Sequence, residues 1–164
     1  MFYARKMIFT LLLGAALIPA TAGFAESLDD IADVVGKLMS GKTLVGDNGT
    51  RQTFDKLTKD GDSYWFRNIR VTTISGVSVT AVDQIFQSPD NSGFVVSELC
   101  ENETTDYKIE LILGGRGFRV SDITDAGQGF LKRECWSDYN KTLCDVTSTG
   151  GSPGTYSVVH FVSE

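Results

Sequence analysis

Residues 107–124 read YKIELILGGRGFRVSDIT, and this stretch decides the fold class. Tyr107, Ile109, Leu111 and Leu113 alternate with Lys108 and Glu110. A period of two, apolar against charged, marks a β-strand that is buried on one face and wet on the other. Gly114-Gly115 then supplies a turn, and Phe118-Arg119-Val120 resumes as strand. A phosphate-binding glycine loop would need a helix to follow, so the hairpin is the better reading of Gly114 to Gly117.

The same pattern spreads outward in both directions. Runs rich in Val, Ile, Thr and aromatics occupy 42–46, 51–58, 63–74, 77–87, 94–100, 107–113, 117–124, 129–137, 142–147 and 155–162. Turn-forming clusters separate them, among them Asp47-Asn48-Gly49, Asp60-Gly61, Ser75-Gly76, Asn102 to Asp106, Asp125 to Gly127 and Gly150 to Gly154. Gly, Pro, Asn and Asp either tolerate φ > 0 or preset a bend. With no helix between them, such strands form an antiparallel meander. Eight to ten of them close into a small barrel or split into a sandwich, which limits exposed edges.

One helix precedes the strands. Leu28, Ile31, Val35 and Leu38 fall at helical spacing over Ser27 to Met39. Ser27 with Asp30 forms a capping box, and Gly41 suits the residue after the C-cap. The apolar stripe predicts that this helix packs on the sheet.

Residues 1–25 read as a cleavable secretory signal peptide. Arg5 and Lys6 are followed by twelve uncharged residues (MIFTLLLGAALI, 7–18), Pro19, and small residues up to Ala25. Twelve apolar residues are too few to span a bilayer core about 30 Å thick, and no cysteine follows closely to carry a lipid anchor. Cleavage after Ala25 leaves a single β-rich domain over 26–164, placed in the periplasm or outside the cell. The leader holds two of the 15 basic residues and none of the 21 acidic ones, so the domain carries a net charge of −8. An acidic domain with scattered charges repels nucleic acid and anionic membrane surfaces.

Three cysteines remain, and an oxidising compartment favours pairing. A four-residue loop at 138–141 would set Cys135 opposite Cys144, within disulfide reach. This predicts a Cys135–Cys144 bridge and leaves Cys100 as a free, buried, inert thiol beside Glu98, Glu101 and Glu103. Arg133 shares the face of Cys135, and its long stem is expected to carry its charge out to water.

No catalytic constellation assembles. Gly150-Gly151-Ser152-Pro153-Gly154 matches the nucleophile-elbow pattern, but a strand rather than a helix follows, and no acid separates Ser152 from His160. His160, the single histidine, sits in a strand with Tyr156, Val158 and Val162 on its face and reads as a structural side chain. One histidine and no C-x-x-C argue against a zinc site, and Asp60-Gly61-Asp62 lacks the six or more oxygens in register that a calcium loop needs. No cofactor is expected. The aromatics, among them Tyr64, Trp65, Phe66, Phe86, Phe94, Phe118, Phe130, Trp136 and Phe161, are expected mostly in the core.

Leu38 to Gly46 (LMSGKTLVG), followed by short strands and a late cysteine hairpin, resembles small exported lipocalin-like proteins of bacteria. The likeness covers about a dozen residues and a cysteine spacing, and the long runs over 63–87 depart from it. It implies a small barrel, and no site residue is carried over. Two function classes follow as expectations: a non-enzymatic exported protein holding a small apolar ligand or a partner protein, or a small hydrolase using acidic residues with His160.

Overall fold

Ser27 opens the helix α1 (Leu28–Met39) as anticipated: its hydroxyl accepts from the Asp30 amide, and the Asp30 carboxylate accepts from the Ser27 amide. In this computed structural model the described residues are 26–71, 76–123, 130–149 and 154–164. The leader with its cleavage site, Ser75, Asp125 to Gly127 and Ser152 lie outside them, as do the side chains of Phe130 and Leu131.

Eleven strands are described: β1 (Thr43–Gly46), β2 (Arg51–Phe54), β3 (Thr58–Asp60), β4 (Ser63–Val71), β5 (Ser78–Gln87), β6 (Phe94–Cys100), β7 (Glu103–Ile112), β8 (Gly117–Asp122), β9 (Phe130–Asp138), β10 (Lys141–Thr149) and β11 (Tyr156–Ser163). From β4 to β11 each pairs antiparallel with the next. β1 then pairs with both β11 and β2, and β2 pairs with β4, so ten strands close into a barrel. β3 extends the wall on the same edge of β4, below the closing strand β2.

Two boundaries differ from the sequence reading. The run 51–58 breaks after Phe54: Asp55 N still donates to Arg67 O on β4, but Leu57 N turns to Ser40 Oγ beyond the end of α1. The Asn102–Asp106 break is only a two-residue turn, Glu101 and Asn102, both at positive φ. β7 begins immediately after it, at Glu103.

Eight strands give a barrel that side chains can just fill, so ten need additional filling. The helix supplies it. Ile31, Val35, Leu38 and Met39 are buried, and α1 packs on β5, β7, β8 and β9 at the barrel end where β1 begins. The last helical carbonyls, which have no partner within the helix, are met from the wall. Thr142 Oγ1 donates to Leu38 O (2.7 Å), and Lys42 Nζ donates to Lys37 O (2.7 Å) and to Thr142 Oγ1 (2.9 Å). Leu44, Phe54, Ile85, Ile109, Phe118 and Phe161 complete the core from the strands.

Cys135 and Cys144 stand directly opposite each other on β9 and β10, their sulfurs 2.09 Å apart. The connecting loop is shorter than expected. Asp138 pairs with Lys141, and Tyr139 and Asn140 alone make the turn, both at positive φ. Adding one more pair at the tip leaves the register of the cysteines unchanged. On the other side of β9 the wall is tight: a Cβ on Gly117 would lie 2.5 Å from the Cys135 carbonyl oxygen. The bridge closes a loop of nine residues in sequence separation. Such a loop predicts that Cys135→Ser and Cys144→Ser each cost about 2–3 kcal/mol, with the double variant little worse. Thermal melts of the three variants check this, and equal melting of wild type and either single variant would contradict it.

The outer wall is polar where the strands are longest. Glu110, Arg119, Glu134, Asp145 and His160 are consecutive partners across β7 to β11. Arg119 pairs with Glu110 (3.1 Å) and Glu134 (2.7 Å), and His160 Nδ1 lies 2.7 Å from Asp145. Trp65, Phe86 and Trp136 alternate outward and are half-buried on this wall, not in the core. No helix among the described residues is long and apolar enough to cross a membrane.

Candidate functional site: the barrel lumen

The helix fills one end of the lumen and leaves a cavity of about 180 Å³ in the remainder. Its floor is apolar: Val35 and Met39 from α1, with Phe54, Ile85, Val96, Ile109 and Phe118 from the wall. The rest of the lining is mixed: Gln52, Asn68, Arg70, Asp83, Glu98, Tyr107 and Arg133 are polar, and Phe66, Val120 and Val146 are apolar. Most of the polar groups lie near the strand ends remote from the helix, where Val120 and Val146 stand directly opposite Arg133 on the neighbouring strands.

Each polar residue is aimed inward by strand alternation. Asn68 and Arg70 share the face of Phe66, Asp83 lies between the inward Ala81 and Ile85, and Glu98 follows Val96. Arg133 precedes Cys135 on the inward face of β9. It does not carry its charge out to water as expected. The lumen of ten strands is wide enough to keep the guanidinium inside.

The groups form one network. Arg70 pairs with Glu98 and donates to Asn68 Oδ1 (3.2 Å), while Asn68 Nδ2 donates to Asp83. Arg133 reaches from β9 to β2, where Nη2 donates to Gln52 Oε1 at 2.7 Å, and its guanidinium carbon sits 6.0 Å from the Phe54 ring centroid. Its Nε is sealed from solvent with no hydrogen-bond partner. An unmet buried donor costs about 1–3 kcal/mol, and more on a charged group.

Burial and the directly opposed Glu98 push the Asp83 carboxyl up to about 7, against the pull of the Asn68 hydrogen bond and of Arg70. Desolvation, then the neighbouring Arg70, brings the Arg133 guanidinium down to about 10. In both cases the first cause is the withdrawal of the charged group from water.

The residues singled out in the sequence are not brought together here. Cys100 is partly exposed at the end of β6, and burial with Glu98 raises its thiol. His160 faces outward, and Asp145 raises its pKa. The lumen residues were missed, although a charge flanked at two-residue spacing by apolar side chains, as in Ala81-Val82-Asp83-Gln84-Ile85, signals an inward polar group. No protein-family model matches the chain, and no curated protein matches it.

Proposed function

We propose that this chain is an exported binding protein whose barrel holds one small organic molecule in its lumen. One observation carries the reading: a cavity of about 180 Å³ that is apolar beside α1 and has several polar groups set among apolar ones beyond it. Ligand sites are typically concave, mostly apolar and oriented by a few placed polar groups. A 150 Å³ apolar cavity is known to hold benzene, so this one accommodates a single ring or a short chain with one polar group. The sequence reading of an apolar ligand is thereby narrowed to an amphipathic one. The Cys135–Cys144 pair is compatible with an oxidising compartment, in line with export.

Native mass spectrometry of protein purified gently from its own host tests both halves. The expected species begins at Glu26 and carries a small non-covalent adduct that is lost on denaturation. Val146→Phe, which fills the cavity from β10, should abolish the adduct while the barrel stays folded. A full-length cytoplasmic chain would defeat the export half. An adduct-free wild type, together with no stabilisation by any small amphipathic molecule, would defeat the binding half. A retained polypeptide would replace it with partner binding.

A further inference from the structure

We infer that the lumen selects an organic monoanion, an apolar body ending in a carboxylate, and that Arg133 is the group that recognises it. This deepens the lumen-binding reading and rests on it.

The argument begins with unequal partnering. Arg70 and Glu98 neutralise each other across β4 and β6. Arg133 has no such partner: among the described residues its guanidinium bonds only Gln52, through Nη2, and no carboxylate lies in ion-pair reach. Nε has nothing. A half-buried cation with one donor sealed and unmet, and no carboxylate in ion-pair reach, is costly unless something else completes it. A planar fork of donors facing a cavity matches a carboxylate in two parallel hydrogen bonds. The apolar floor then takes the body of the same molecule.

The other groups facing the site must permit an anion. They are Glu98 on β6, Arg70 on β4, Tyr107 on β7 and Asp83 on β5, while α1 contributes only Val35 and Met39. Glu98 is spent on Arg70. Asp83 is held largely neutral at mildly acidic pH by burial and by Glu98. The lumen then carries one positive charge in excess, that of Arg133. As the pH rises through about 7, Asp83 ionises, the excess vanishes, and an anion is repelled.

Two matched probe pairs test this by titration calorimetry at pH 6: benzoate against benzyl alcohol, and hexanoate against hexanol. The carboxylates should bind wild type at least about tenfold more tightly than they bind Arg133→Gln, the scale of one charge-assisted hydrogen bond, while the alcohols change little. Carboxylate affinity should fall between pH 6 and pH 8, and Asp83→Asn should remove that fall. If Arg133→Gln does not fold, the Asp83→Asn comparison decides, with Val146→Phe as the blocked control. Alcohols that bind as well as the carboxylates would overturn the inference and leave the lumen-binding reading standing. Should no probe bind and Val146→Phe change nothing, both fall together.

Discussion

Ile31→Ala should destabilise the protein by about 3 kcal/mol, lowering its melting temperature by about 10 °C. Ile31 is fully buried on α1, among the residues with which the helix packs on the barrel. The transfer of its lost methyl groups accounts for part of the cost. The rest comes from the cavity left behind, because a closed wall of hydrogen-bonded strands cannot collapse onto the gap. The loss should be specific to the buried stripe. Asp33→Ala, one turn face away and exposed, should stay within about 0.5 kcal/mol of wild type. Equal melting of the two variants would show that the helix is not seated in the barrel as described.

Asp83→Asn should change the pH dependence of stability by a comparable amount. In the folded protein Asp83 keeps its proton up to about 7, whereas in the unfolded chain it releases it near 3.8. Between those values the native state binds more protons than the unfolded state, so this residue makes stability fall as pH rises from about 4, and the loss is complete above about 7. The separation of the two values corresponds to about 4 kcal/mol at most, and the polar groups that meet the carboxylate make about 2–3 kcal/mol the expected swing. Asparagine keeps an oxygen to accept from Asn68 and cannot ionise. Urea titrations of both proteins from pH 4 to pH 8 should therefore show the variant gaining steadily on wild type. Asp90, Glu110 and Glu134, whose carboxyls are lowered by hydrogen bonds and ion pairs, act in the opposite sense but equally in both proteins. A difference curve that stays level would mean that Asp83 ionises without penalty.

What could be read from the sequence was what local chemistry dictates. The capping box at Ser27 and the apolar stripe behind it determine α1. Alternation around Ile109 determines β7, and opposed positions on β9 and β10 bring Cys135 to Cys144 whether the turn holds two residues or four. Glu103 to Asp106 was legible only as a loop, because β7 there is exposed along its length and no core imposes alternation. The lumen was hidden for a different reason. Gln52, Arg70, Asp83, Glu98 and Arg133 lie on five strands, and only the closure of the barrel sets them around one space. The fate of Arg133 depended on the width of that space, a property of strand number rather than of any residue. The outward Trp65, Phe86 and Trp136 show the complementary limit: an aromatic in a strand fits a pleated surface on either face.

The pairing of β1 with β11 has a consequence for how the chain acquires its shape. Leu44 lies opposite Ser163, and the Glu164 amide donates to the Thr43 carbonyl, so the wall is sealed by residues from opposite ends of the domain. Contacts so far apart in the chain are formed late and slowly, since the entropy of the whole intervening loop is lost before they return anything. Until the last strand is available, the first has only β2 beside it, and the sheet remains open. A topology that postpones its own closure leaves the seam between β1 and β11 among the last parts of the barrel to form.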